Sequence, residues 1–322
     1  MSTGLSGTST TLARQAVASA VLLFSGATLA QAPQVNASPP GGAAQWISTD
    51  YGQIKTRIYT SREMRARPTL LVILHGDIPN PQLIYHYYIA QLFAEGAAGA
   101  AMLPVEIREY LGEPFLRFLD KFEPGNVVAA AILRPGYSDY EGDRSDGELG
   151  MALADNYTPE VVDAVANAVG ILSAEFDAEH VILIGHSGGG AIAADFLGRH
   201  PNLADGALLI ACGCDPLRWR EEARNGPLAE LDWDHPYRSL SPLDLAPSIP
   251  VDTEISLLIA ENDDVVSADY SKQFADSLRR AGGRPVFSVV AGAGHNDVVF
   301  TQQAFEAMEV LVEKVRGSNS TR

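Results

Sequence analysis

The chain has 322 residues, a formal net charge of −17, a hydrophobic fraction of 46% and a charged fraction of 20%. This is a globular composition, long enough for one large domain or two ordinary ones with a core that needs no disulfide or metal staples. An acidic surface with no basic cluster repels phosphate backbones, so nucleic acid is excluded as a partner.

In chain order, the first thirteen residues carry no acidic or basic side chain, and Arg14 supplies one positive charge. An apolar stretch follows from Ala16 to Ala30, interrupted by Ser19, Ser25 and Gly26 and closed by Ala27-Thr28-Leu29-Ala30-Gln31-Ala32. Charge, apolar run and small-residue site in this order predict a secretory signal over residues 1–30, cut after Ala30, and a periplasmic or extracellular protein with no membrane span left after cleavage. Residues 31–45 are rich in Ala, Pro, Gly, Asn and Gln and predict a flexible linker. Trp46–Tyr59 reads as an opening hairpin turning at Tyr51-Gly52.

Short, nearly continuous apolar runs then recur at Thr69–Leu74, Val127–Leu133, His180–Ile184, Ala207–Ala211, Glu254–Ala260 and Pro285–Val290. Such runs suit strands buried on both faces. Helical stripes lie between them: Val161, Val162, Val165, Val169 and Leu172, then Phe274 and Leu278, then Phe305, Met308, Leu311, Val312 and Val315. The alternation predicts an α/β fold, a doubly wound, mostly parallel sheet flanked by helices. One domain is expected over residues 46–316, with a disordered tail at 317–322. The Pro-rich stretch 215–252 is the candidate lid or pocket wall. Cys212 and Cys214 flank a single glycine and are expected to be small buried thiols, because a bridge between them closes a very small ring.

Ile182-Leu183-Ile184-Gly185-His186-Ser187-Gly188-Gly189-Gly190 joins an apolar strand to G-x-S-x-G and then to the small residues of a helix. A serine on so sharp a turn needs glycines around it and points its hydroxyl away from the sheet. A hydroxyl at its own pKa is a poor nucleophile and needs a base that a carboxylate orients. Past the fifth run stands Glu261-Asn262-Asp263-Asp264-Val265-Val266, and past the sixth Gly292-Ala293-Gly294-His295-Asn296-Asp297. Both lie where parallel sheets place their sites. His295, on a glycine-flanked loop, is the expected base. Asp263 is favoured over Asp264 as its acid. His75, His86, His180, His186, His200 and His235 are wrongly placed in the chain for that role.

The oxyanion hole needs two backbone N–H donors. Gly188 is expected to supply one and Asp77, after the strand ending in His75-Gly76, the other, with Ile78 as the next choice; the Asp77 carboxylate is expected to point away. No cofactor or metal is expected. Tyr85, Tyr87, Tyr88, Tyr137 and Trp219 are candidate pocket residues or core. Glu221-Glu222 and Asp232-Asp234 read as solvated acids, and the acid-rich run Glu141–Glu148 as a plain loop, since it lacks EF-hand spacing.

Together the HG loop, the G-H-S-G-G elbow, the D-x-V-V loop and the G-H loop resemble the α/β-hydrolase superfamily over nearly all of the chain past residue 45. Leu133-Arg134-Pro135-Gly136-Tyr137-Ser138 looks like a loop of prolyl-aminopeptidase-like hydrolases. Ser239-Leu240-Ser241-Pro242-Leu243 is similar to a segment of prolyl-oligopeptidase-like and dienelactone-hydrolase-like enzymes. Two departures stand out: Ser187 replaces the cysteine of dienelactone hydrolases, and no N-terminal propeller is evident. The resemblance implies acyl transfer to Ser187 and hydrolysis of a carboxylic ester, with a peptidase of the same fold as the alternative and a non-catalytic binding module as a remote one.

Overall fold

The apolar runs pair with one another in a single eight-stranded sheet of order β1-β2-β4-β3-β5-β6-β7-β8. The computed structural model describes residues 41–77, 84–149, 156–226, 229, 233 and 236–318. The expected signal segment, most of the expected linker, Ile78, Asp232, Asp234 and His235 lie outside these residues. The strands are β1 (Ala43–Thr49), β2 (Gly52–Thr60), β3 (Thr69–Leu74), β4 (Val127–Ile132), β5 (His180–His186), β6 (Gly206–Ile210), β7 (Glu254–Ala260) and β8 (Val286–Val290). The β1–β2 hairpin forms as expected, its turn at Asp50-Tyr51 one residue before Tyr51-Gly52 because Gly52 already pairs with Thr49, and β2 runs antiparallel to β4. Every other neighbouring pair is parallel. Strand β1 begins at Ala43, inside the segment expected to be linker, because Ala43, Ala44 and Gln45 pair with Ile58, Arg57 and Thr56 of β2.

The helices are α1 (Ile84–Glu95), α2 (Ala97–Met102), α3 (Val105–Leu119), α4 (Pro159–Glu175), α5 (Gly188–Arg199), α6 (Pro216–Arg224), α7 (Pro242–Leu245), α8 (Ala268–Arg280) and α9 (Gln302–Ser318). Residues 317 and 318, expected in a disordered tail, complete the last turn of α9. Alternation along each strand divides the core in two. Leu70, Val72 and Leu74 of β3 pack with α4, α5 and α8, while Leu71 and Ile73 pack with α1, α3 and α9. Strands β3 and β4 are buried at every position. The expectation of two buried faces fails for β8, where Val286 is 40% and Val289 54% exposed. It is an edge strand with β7 as its one neighbour, so less of the molecule is left to cover it.

The stretch 215–252, expected as a lid, is fastened to the body at several described points. Ala246 and Ile249 belong to the core. Leu240 N–H donates to the Tyr157 carbonyl, and Tyr157 N–H to Ser239 Oγ. The loop after β4 is held by charge. Lys55 of β2, 1% exposed, sets its ammonium 2.6 Å from Asp139, 2.5 Å from Glu141 and 2.6 Å from Asp143. An ammonium thus already sits among the three carboxylates that lie close enough together to hold a metal ion, and burying it is tolerable because every side of it is paired.

Chain order and spatial order part company around β3. From β3 the chain moves to β4 on one side and then to β5 on the other, so the C-terminal ends of β3 and β5 adjoin at a topological switch point, Leu74 opposite Gly185.

Helix α5, which starts at the nucleophile candidate, is tied down at its far end. Asp163 of α4 accepts from Arg199 Nε at 2.5 Å and Nη2 at 2.7 Å, and pairs with His200 Nε2 at 2.8 Å. Chiefly through the Arg199 bond, the Asp163 carboxyl is pulled down to about 2. A depressed carboxylate stabilises the fold above its unfolded pKa of roughly 3.9 and loses that contribution as the pH falls through its folded value. Asp163→Asn is therefore expected to lower the thermal midpoint by a few degrees at pH 7. Thermal melts of both proteins should converge between about pH 4 and pH 2.

Candidate active site

The strand-to-helix junction at Ser187 is strained as a nucleophile elbow requires. Ser187 has φ 54° and ψ −122°, a left-handed backbone that L-residues disfavour. The turn is possible because its neighbours lack side chains: a Cβ on Gly185 would come 2.3 Å from the Gly189 carbonyl oxygen, and one on Gly189 2.2 Å from that of Leu74. Ser187 N–H donates to the Ile210 carbonyl at 2.9 Å, fixing the elbow to β6.

Two loops from farther along the chain meet the serine. His295 Nε2 lies 3.0 Å from Ser187 Oγ. On the opposite side of the ring, His295 Nδ1 lies 2.8 Å from Asp263 Oδ2 and 3.0 Å from Oδ1. Only an Nδ1–H donates to a carboxylate, which leaves Nε2 free to accept the serine proton. Asp263 Oδ1 also accepts from Val265 N–H at 3.0 Å and Val266 N–H at 2.7 Å. Burial pushes the Asp263 pKa up, but the His295 contact and these backbone donors outweigh it, holding the carboxyl below its ordinary value. Asp264 is exposed. The structure thus brings Ser187, His295 and Asp263 together in one relay.

The other histidines near the serine are braces. His186 Nε2–H donates to the His295 carbonyl at 2.8 Å, and burial followed by His295 pushes its pKa down to about 3. His75 Nδ1–H donates to the Gly76 carbonyl at 2.8 Å while Nε2 accepts from Arg134 N–H at 3.0 Å. Burial holds His75 neutral as well.

Asp77 differs from the expectation that its carboxylate points away. Its side chain lies against the elbow, so close that a Cβ on Gly188 would meet Asp77 Oδ2 at 2.3 Å. The carboxylate can lie there because Arg134 Nη1 at 2.9 Å and Tyr137 OH at 2.8 Å donate to Oδ1, and Tyr157 OH to Oδ2. Arg134 and Tyr157 are site residues that the sequence pattern did not mark. The one available signal was an acid directly behind His75-Gly76, which in a buried place demands a counter-charge.

Cys212 and Cys214 also differ from expectation: they form a disulfide, with both residues fully buried. The bridged loop packs behind the elbow, with Gly213 N–H donating to the Ser187 carbonyl at 3.4 Å. Of the candidate pocket aromatics, Tyr87 and Tyr88 are buried in the core, and Trp219 packs against it. Glu222 is held by Arg218 and by the Tyr270 hydroxyl.

A sequence model of the prolyl oligopeptidase family matches residues 147–312, just over half of the chain. The chain belongs to the prolyl oligopeptidase family. Its fold is that of the α/β-hydrolases. Among solved structures it is similar to Porphyromonas gingivalis dipeptidyl peptidase 4, at 15% identity and TM-score 0.55 over 86% of this chain and 36% of that one. It is also similar to Pyrococcus horikoshii acylaminoacyl peptidase, at 13% identity and TM-score 0.57 over 86% of this chain and 41% of that one. Est1E from Butyrivibrio proteoclasticus aligns at 13% identity and TM-score 0.54 over 86% of this chain and 100% of that one. The chain therefore spans about two fifths of the length of the two peptidases. No curated protein sequence matches it.

The relay assigns the two adjacent aspartates different fates. Asp263→Asn is expected to cut kcat by roughly 10^4, the loss seen when the triad acid of a serine protease is amidated. Asp264→Asn should leave kcat near that of the wild type, with both read from initial rates on the same ester.

Proposed function

We propose that this protein hydrolyses carboxylic esters by acyl transfer to Ser187. The observation that supports this reading above all others is the Ser187–His295–Asp263 relay, with contacts of 3.0 Å and 2.8 Å. His295 Nε2 takes the Ser187 proton as Oγ attacks the ester carbonyl, and the imidazolium gains stability from Asp263. Negative charge develops on the carbonyl oxygen, where the backbone N–H groups of Gly188 and Asp77 are the proposed donors. Gly188 opens α5, so its N–H has no intrahelical partner and the helix end favours negative charge. Collapse of the tetrahedral intermediate passes the His295 proton to the leaving alcohol. Water then repeats the sequence on the acyl-enzyme and releases the acid. No cofactor takes part in this chemistry.

Esters are favoured over amides because an alcohol leaves with less assistance than an amine. The Asp77 carboxylate beside the elbow is also engaged, since it is neutralised by Arg134 and bound by Tyr137 and Tyr157. It is therefore a poor partner for the ammonium of a peptide substrate. The family and the names of two structural neighbours, dipeptidyl peptidase 4 and acylaminoacyl peptidase, favour peptide hydrolysis as the second reading.

The test is a series of p-nitrophenyl esters from acetate to palmitate, run beside Ser187→Ala. Ester turnover that disappears in the variant is the expected result. A wild-type protein inert to every ester but active on aminoacyl or dipeptide anilides transfers the assignment to the peptidase reading. Inertness to both, with no fluorophosphonate label on Ser187, would leave a binding module.

Export through residues 1–30 is part of the same proposal. The Cys212–Cys214 bridge supports it, because disulfides persist in oxidising compartments. Among the described residues no helix is long and apolar enough to cross a membrane. Expression of the whole chain in a Gram-negative host should yield a periplasmic or secreted protein whose N-terminal sequence begins at Gln31; a cytoplasmic product starting at residue 1 or 2 contradicts export.

A further inference from the structure

The segment His75-Gly76-Asp77 carries one of the two proposed oxyanion donors, yet it follows the end of a strand and has no regular hydrogen-bond ladder to hold it. It is gripped instead from two directions. Arg134, fully buried just past β4, donates its backbone N–H to His75 Nε2 at 3.0 Å. Through Nη1 it donates at 2.9 Å both to the His75 carbonyl and to Asp77 Oδ1. One guanidinium therefore brackets Gly76 from either side. Tyr137, on the same loop, donates its hydroxyl to Asp77 Oδ1, and Tyr157, next to the Thr158 N-cap of α4, donates to Oδ2.

We infer that Arg134, Tyr137 and Tyr157 are positioning residues that clamp Asp77 so that its backbone N–H is a fixed oxyanion-hole donor and its carboxylate is neutralised beside the developing negative charge. The inference rests on the donor assignment made above. Three observations carry it. First, a free carboxylate at the elbow would repel the oxyanion, whereas here its charge is matched by Arg134 and spread over two phenols. Second, burying Arg134 carries a cost. It lies against the rings of Tyr137 and Tyr157, 4.8 Å and 5.8 Å from their centroids, and its buried Nε and Nη2 make no hydrogen bond among the described residues. Orphaned buried donors are penalised, so the contacts made by Nη1 must offset that penalty. Third, the clamp is itself anchored. Leu240 N–H donates to the Tyr157 carbonyl at 2.8 Å, and Tyr157 N–H to Ser239 Oγ at 3.2 Å. Burial and the Asp77 charge raise the pKa of both phenols well above ordinary, so they stay protonated donors at neutral pH.

A clamp that serves the transition state alone predicts a split between kcat and KM. Tyr137→Phe, Tyr157→Phe and the double variant remove one or both hydroxyls and keep the rings against Arg134. Each is assayed for kcat and KM on the best ester, for phenylboronic acid inhibition and for thermal midpoint. The boronate forms a tetrahedral adduct on Ser187 and reads oxyanion stabilisation in the absence of turnover. Losing a whole oxyanion donor costs roughly 10^2–10^3 in kcat, so a donor merely loosened should cost about tenfold per hydroxyl. KM is expected to stay near that of the wild type, and boronate affinity to fall in step with kcat. Unchanged kcat and boronate affinity in the double variant overturn the inference. So does a loss of kcat with boronate affinity intact, or a loss matched by KM and thermal midpoint, which marks a purely structural role. If the wild type turns over no ester yet binds the boronate, the ester reading fails and boronate affinity alone judges the clamp. A wild type that neither binds the boronate nor reacts with a fluorophosphonate overturns both.

Discussion

The parallel pairing of β3 with β5 is the constraint on which the site depends. It runs in register from Thr69 opposite His180 to Leu74 opposite Gly185. Both strands therefore end at the same level, and the chain beyond each must turn into the same small space. Beyond β5 it turns sharply at Ser187; beyond β3 it passes as His75-Gly76-Asp77. The two turns are in van der Waals contact, since a Cβ on Gly189 would strike the Leu74 carbonyl and one on Gly188 the Asp77 carboxylate. Parallel strands all present their C-terminal ends at one edge of the sheet, so β4, β7 and β8 deliver Arg134, Asp263 and His295 to the same region. Residues far apart in sequence meet because five strand ends do.

Charge in this region is kept in matched units. Asp77 is paired with Arg134, and Asp263 with His295. His75 and His186 are held neutral by burial and serve as hydrogen-bonding braces. In a low-dielectric interior an unpaired charge is costly and would also disturb the pKa of any neighbouring base. The result is a serine hydrogen-bonded to one oriented imidazole, with Asp77 and Asp263 compensated and His75 and His186 neutral. Asp77 and Asp263 are thus compensated by their own neighbours in a protein whose net charge is −17.

Behind the elbow the support is covalent as well as polar. The Cys212–Cys214 bridge closes the loop after β6, and Gly213 N–H between them reaches the Ser187 carbonyl. Ser187 N–H in turn donates to Ile210 at the end of β6. The backbone on both sides of the nucleophile is thus tied to one strand end, which is how an unfavourable φ at a non-glycine residue is kept in place.

The strand–helix alternation, the G-H-S-G-G elbow and the order of Ser187, Asp263 and His295 were legible in the sequence, because each depends on local chemistry: apolar period, glycine at a crowded turn, and residue type at a strand end. Asp263 was favoured over Asp264 through the resemblance of the D-x-V-V loop, and it accepts hydrogen bonds from the N–H groups of Val265 and Val266. What lay beyond the sequence was whatever depends on neighbours distant in the chain. The exposure of β8 follows from its place at the sheet edge, and the start of β1 at Ala43 from pairing with β2. The bridging of two cysteines expected as thiols depends on the path the backbone takes past the elbow. The direction of the Asp77 carboxylate is decided by Arg134, Tyr137 and Tyr157, which approach from two other loops. A sequence states which charges and hydroxyls exist; only the packed sheet decides which of them are neighbours, and in a buried site that neighbourhood sets both the cost of each charge and its use.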